Sequence, residues 1–178
     1  MKATGIVRRI DDLGRIVIPQ EIRRTMRSRE GDPLEIYTER DGVVLFKKYS
    51  PVGELGECAG SMCEAVSRAS GCFTAVADRD MFITSFGGAK REFSEKRISP
   101  ELEQIISDRK LYTRHGGDKC FPAAEGSEFT VDVAAPIITE GDIMGCVVLV
   151  SDGSGLPGEL ETKLAQTAAG FLSRQLES

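Results

Sequence analysis

The first fifty residues place the tightest constraint on this chain, because they hold only short apolar runs and about two turns of helix, too little to bury a core. Thr4 to Ile10 is β-branched and extended, Asp11-Asp12-Leu13-Gly14 has turn chemistry, and Arg15 to Ile18 reads as a second strand. Pro19 ends that strand and opens a helix over Gln20 to Met26, since proline's missing N–H costs nothing in a first turn. Ile22 and Met26 share one helix face, while Gln20, Arg23, Arg24 and Arg27 line the opposite one, Arg27 at or just beyond the end. Glu30-Gly31-Asp32-Pro33 is a turn. Leu34 to Thr38 alternates, with Leu34, Ile36 and Thr38 expected inward, and Asp41-Gly42 turns the chain into a strand over Val43 to Lys48. A unit of this size ordinarily needs a disulfide, a metal or a partner subunit. Its fifty residues hold no cysteine and no histidine, so the expectation is an intertwined dimer.

The rest of the chain has a different character. Val52, Leu55, Ala59, Met62, Val66 and Ala69 recur at alternating spacings of three and four, between Pro51 and Gly71. This predicts a helical linker over 51–71 that packs on neighbouring helices. Residues 72–178 read as one α+β domain. Strands are expected at Cys72–Ala77 and Met81–Phe86, a helix from Ser99-Pro100 to about Lys110, and a short strand over Leu111–Arg114. Long apolar strands follow at Glu128–Thr139 and Ile143–Ser151. A last helix begins at Pro157, with Leu160, Leu164, Thr167 and Phe171 on one face. The pattern predicts a sheet covered by helices on one side.

Charge divides the chain in the same place. The net charge is −5, which argues against a protein that coats nucleic acid non-specifically. Residues 1–50 nevertheless carry 11 Lys and Arg against 8 Asp and Glu, and residues 51–178 carry 12 against 20. In residues 1–30, seven of the eight cations are arginine, whose planar fork suits phosphate and guanine edges. On charge alone, Arg23 and Arg24 fit equally well a solvated helix face balanced by Glu21 and Glu30. No apolar run approaches a membrane span and no secretory leader is evident, so a soluble, cytoplasmic protein is expected. The five cysteines, Cys58, Cys63, Cys72, Cys120 and Cys146, form no CxxC pair and accompany one histidine, His115. They read as small side chains in a reducing compartment, with no metal site and no cofactor.

The run from Thr4-Gly5-Ile6-Val7-Arg8-Arg9-Ile10 through Asp11-Asp12-Leu13-Gly14-Arg15-Ile16-Val17-Ile18-Pro19, followed by Glu21-Ile22-Arg23-Arg24, closely resembles the AbrB family of transition-state regulators. The resemblance extends to Leu34-Glu35-Ile36-Tyr37 and Lys47-Lys48-Tyr49. It implies a dimeric swapped-hairpin β-barrel over residues 1–50 that binds double-stranded DNA. Carried over by position, the DNA-contacting residues are Arg8, Arg15, Arg23 and Arg24, with Arg9 where the family usually has another basic residue. Residues 72–178 are similar to a GAF domain, a small-molecule-sensing fold, on pattern more than on motif. The combination resembles sporulation-stage regulators of endospore-forming bacteria. That implies an activator and repressor on the nucleoid of the forespore, a homotetramer assembled through helices, and an unidentified small-molecule effector.

Two other readings compete. Antitoxin-like proteins share the swapped-hairpin fold and bind a protein partner through a disordered tail, but here the tail carries capped helices and apolar strands. An enzyme, such as a GAF-type reductase of oxidised methionine, would need an activated thiol, but Cys72 and Cys146 fall in expected strands with no base or cationic neighbour evident to lower a thiol pKa, and no triad-like constellation is present. Phe82, Phe86, Arg91, Phe93, Asp132 and the Gly116-Gly117 loop are positions from which an effector pocket could be built, although each is more often core or ordinary surface.

Overall fold

The computed structural model describes residues 4–88, 90–93 and 96–177, which fall into two units, Met1–Tyr49 and Ser50–Ser178. In the first, α1 (Gln20–Met26) is followed by β1 (Leu34–Thr38), a 3₁₀ turn (Arg40–Gly42) and β2 (Val44–Lys48). β1 and β2 pair antiparallel, with Leu34 opposite Lys48 and Ile36 opposite Phe46. α1 ends in a Schellman arrangement: Ser28 N–H donates to Arg23 O at 2.9 Å and Arg27 N–H to Arg24 O at 3.1 Å. Arg27 itself sits at φ 51°, a left-handed position that glycine usually fills.

The two strands expected over Thr4–Ile10 and Arg15–Ile18 are not formed. The segment is extended and turns at Asp11–Gly14, where Asp11 N–H donates to Arg15 O at 3.0 Å and Gly14 N–H to Asp11 O at 3.1 Å. A strand needs a row of backbone partners, and among the described residues of the first unit only β1 and β2 are paired as strands. The same shortage governs burial: among the described residues of the first unit, none is buried. Ile36, expected inward, is 61% exposed, and Val7, Leu13 and Val17 are exposed by 85%, 71% and 74%.

The second unit is a layered α/β/α fold. It contains α2 (Pro51–Glu54), α3 (Gly56–Ser70), β3 (Phe73–Asp78), β4 (Phe82–Phe86), α4 (Lys90–Phe93), α5 (Pro100–Ser107), β5 (Tyr112–Thr113), β6 (Thr130–Thr139), β7 (Asp142–Ser151) and α6 (Glu159–Leu176). The strands form one sheet in the order β4-β3-β7-β6-β5, and the four neighbouring pairs are antiparallel. Helices cover both faces, which corrects the one-sided expectation. Ala75, Ala77, Val131, Val148 and Val150 pack with Phe93, Leu102 and Ile106 on one face. Val76, Val133, Val147 and Leu149 pack with Val52, Ala59, Val66, Ala165, Ala168 and Leu172 on the other. Both faces of the central strands are therefore largely apolar, with Asp132 the buried exception in β6, which is why β6 and β7 read as nearly continuous rather than alternating runs.

α6 also differs from expectation. Its buried stripe is Ala165, Ala168, Ala169 and Leu172, whereas Leu160 and Phe171 are 55% and 40% exposed. Alanines allow the helix backbone to approach the sheet closely, so Leu160 and Phe171 face outward while Leu164 packs at the edge of the core cluster. The expected linker helix is interrupted at Leu55, and α3 buries Ala59, Cys63 and Val66 while Ala69 is exposed.

Candidate nucleic-acid interface

The five arginines singled out by the sequence sit on three local frames, and all are exposed. Arg8 and Arg9 lie on the extended segment before the turn. Arg23 and Arg24 occupy adjacent positions in α1, where their cationic charge in the last turn also suits the helix C-terminus. Among the described residues, neither these two nor Arg8 and Arg9 form an ion pair with a carboxylate. Their guanidinium groups keep every donor available for phosphate oxygens or base edges.

Arg15 is held differently. Asp11 Oδ1 accepts the N–H of Leu13 at 3.0 Å and of Arg15 at 2.7 Å, while Asp11 Oδ2 accepts Arg15 Nε–H at 2.8 Å. The Arg15 backbone N–H and then its guanidinium hold the Asp11 carboxyl below the ordinary carboxylate value. The side chain of Arg15 nonetheless remains 70% exposed.

On the far side of α1, Ile22 and Met26 join Ile6, Ile16, Ile18 and Phe46 around an open, mostly apolar groove of about 300 Å³, with Arg8 also in its lining. Basic and apolar residues thus lie on opposite faces of the same two-turn helix, as their spacing predicts.

In the second unit the proposed pocket positions do not converge. Phe82 and Phe93 stack at 4.5 Å inside one core cluster, beside Phe129 and Phe73. Phe86 packs with the opposite cluster, and the Gly116-Gly117 loop is near Leu156. The side chain of Arg91 lies outside the described residues. Asp132 is buried and taken up by Arg114, whose Nε donates to Asp132 Oδ1 at 2.9 Å and whose terminal nitrogen also reaches Gly155 O. This pair escaped the sequence reading, although an aspartate between Val131 and Val133 in an apolar run demands a partner. Burial pushes the Cys63 thiol up to about 12 and raises Cys146 as well, the reverse of what a nucleophile needs. The described residues hold no cluster of three metal-ligating side chains, and none of their helices is long and apolar enough to cross a membrane.

Residues 54–177 match the family described as "Stage V sporulation protein T C-terminal, transcription factor". The whole chain is 46% identical to stage V sporulation protein T of Bacillus subtilis (strain 168), over 99% of each chain. The chain belongs to the stage V sporulation protein T family. Within that family frame, the first unit has its own relatives. The chain is 57% identical over 51 residues to the transition state regulatory protein AbrB of the same organism, covering 29% of this chain and 52% of that one. Residues 7–53 also match the family "Antidote-toxin recognition MazE, bacterial antitoxin". The second unit has the GAF fold: the GAF domain of an Acinetobacter phosphoenolpyruvate-protein phosphotransferase superposes with a TM-score of 0.52 at 11% identity, covering 74% of this chain and 84% of that one.

Proposed function

We propose that this chain is a DNA-binding transcription regulator of sporulation-stage genes and not an enzyme, acting in the cytoplasm on the nucleoid, in the forespore. Arg8, Arg9, Arg15, Arg23 and Arg24 contact double-stranded DNA, and residues 1–50 do so as a dimer. The observation that carries this reading is that the first unit buries none of its described residues while exposing its apolar strands and a groove. A second copy of the same segment, donating its own Ile6, Ile16 and Ile18, supplies the missing strand partners and core by mutual exchange. Two-fold symmetry then presents each arginine twice. Such a surface engages mainly phosphate and reads groove width and flexibility more than a base code.

The 51–71 helix and residues 72–178 set the assembly. The outward stripe of Leu160 and Phe171 on α6 supports a tetramer joined through helices of the second unit. A small-molecule effector of the GAF fold would act by favouring one such arrangement over another. The antitoxin match keeps a protein-binding alternative in view, but residues 54–177 form a packed α/β/α unit and not a tail that wraps a partner.

Fluorescence anisotropy of a promoter-length A·T-rich duplex tests the reading, using the full chain and its Arg23→Ala/Arg24→Ala variant at two salt concentrations. Binding that is salt-steep in the wild type and lost in the variant is expected. A wild-type chain that leaves the duplex free at low salt overturns it.

A further inference from the structure

Among the five candidate DNA contacts, only Arg15 is tied to a carboxylate among the described residues, and the tie is built into a turn. Asp11 divides its two oxygens between tasks. Oδ1 takes two backbone N–H groups and shapes the turn; Oδ2 takes Arg15 Nε–H and sets the side chain. A carboxylate beside an arginine on a DNA-binding face is electrostatically unhelpful, since it cancels one unit of the charge that attracts phosphate. Its presence calls for a compensating gain.

We infer that Asp11 is a positioning residue for DNA binding, which holds Arg15 by Nε so that the two terminal amino groups of its guanidinium meet DNA in one orientation. The inference rests on the DNA-binding reading and adds a residue that touches no DNA. A free arginine loses side-chain freedom on binding, and one already held by Nε has less to lose. The remaining four terminal N–H donors keep the fork geometry that matches a phosphate or a guanine edge. Because one carboxylate serves both the turn and the side chain, the direction of Arg15 is fixed relative to the backbone that carries Arg8 and Arg9. The low-lying ionisation of Asp11 keeps the clamp charged throughout the neutral range.

Asp11→Asn separates this role from its alternatives. The asparagine carbonyl still accepts the two backbone N–H groups, so the turn is retained, but the amide nitrogen cannot accept Arg15 Nε–H. Charge alone predicts tighter binding of this variant, which has lost a negative charge next to the DNA. Positioning predicts weaker binding, by roughly two- to tenfold, the ordering cost of one long side chain. The full chain and the variants Asp11→Asn, Arg15→Ala and the double mutant are titrated against the A·T-rich duplex, with circular dichroism to compare folds. Nitrogen-15 NMR follows the Arg15 Nε–H signal, expected to exchange slowly in the wild type and quickly in Asp11→Asn. The expected result is weaker binding by Asp11→Asn in the native background and none of that weakening on Arg15→Ala. Equal or tighter binding by Asp11→Asn, or a loss that persists on Arg15→Ala, overturns the inference while leaving wild-type DNA binding intact. Absence of wild-type binding is a different result: it removes the DNA-binding reading, and this inference with it.

Discussion

Replacing Arg114 with methionine tests how the second unit is held together. Arg114 and Asp132 each expose only 6% of their side chains, so neither charge is solvated by water. Arg114 donates from Nε to Asp132 Oδ1 at 2.9 Å and from a terminal nitrogen to Gly155 O in the loop ahead of α6, and that terminal nitrogen also stands 2.8 Å from Asp132 Oδ1 as an ion pair. Its backbone N–H binds Asp132 O at 2.8 Å, which keeps β5 in register with β6 whatever the side chain. Methionine fills similar volume but leaves a buried carboxylate without its counter-charge, at a cost of about 3–5 kcal/mol. The Gly155 carbonyl loses a donor too, adding about 1 kcal/mol. Urea unfolding of the full chain, followed by far-ultraviolet circular dichroism, should therefore show a midpoint shift equivalent to several kcal/mol. The companion variant Arg114→Met/Asp132→Leu removes both charges and should recover most of the loss, because a packed apolar pair costs no desolvation. A single variant within about 1 kcal/mol of wild type would refute the reasoning, as would a double variant no better than the single one.

Other positions give equally direct tests. Gly145→Ala should lower stability by about 2–3 kcal/mol or more in the same unfolding assay, since a Cβ there would stand 2.1 Å from Ala77 O on the neighbouring strand. Arg27→Gly should raise the stability of the first unit by about 0.5–1 kcal/mol, read from its thermal midpoint, because Arg27 occupies a left-handed backbone position. A thiol reagent at pH 8 should modify exposed Cys120 in the native protein and reach buried Cys63 and Cys146 only after unfolding, as counted by mass spectrometry. Because folding lifts the Cys63 thiol from 9.0 to about 12, its neutral form favours the native state fully below pH 9.0. That contribution should fade as pH rises from there towards 12, measurable as a falling urea midpoint that Cys63→Ala does not show.

Where local chemistry decides structure, the sequence was readable. α1 occupies Gln20–Met26 and β1 Leu34–Thr38, the ranges set by Pro19, the Glu30–Pro33 turn and the Asp41-Gly42 reversal. Ser99 caps α5 by accepting Leu102 N–H at 3.1 Å, as its place before Pro100 predicts. What escaped were features that depend on which surface lies opposite. The sheet's second helical cover was signalled by the unbroken apolar run Cys146–Val150, which an alternating one-faced strand would not have. The outward turn of Leu160 and Phe171 could not be seen from periodicity, since Ala165, Ala168 and Leu172 form a second stripe of the same period. The arginines were visible as residue types at family spacings. The clamp on Arg15 was not, because Asp11 in that context reads only as a turn residue.

The two units differ in how far each can stand alone, and this bears on how the chain works. The second unit closes two core clusters within one chain. In the first, none of the described residues is buried, and its groove is lined by Ile6, Ile16, Ile22 and Phe46. On the dimer reading, folding of residues 1–50 is a bimolecular event, so its stability depends on protomer concentration. If the second unit self-associates as proposed, covalent attachment to it changes that, because tethered partners meet at an effective concentration that reaches the millimolar range for short linkers. The isolated segment 1–53 should therefore lose its circular dichroism signal on dilution from micromolar to nanomolar, while the same residues in the full chain keep theirs and stay competent for DNA. Substituting Leu160 and Phe171 by serine weakens the proposed helix-mediated association and should move the full chain towards the dilution behaviour of the segment. If the segment stays folded at nanomolar concentration, it has a core of its own and the exchange of strands between copies is wrong. If the serine variant stays as dilution-resistant as the wild type, the α6 stripe is not the surface that brings the copies together.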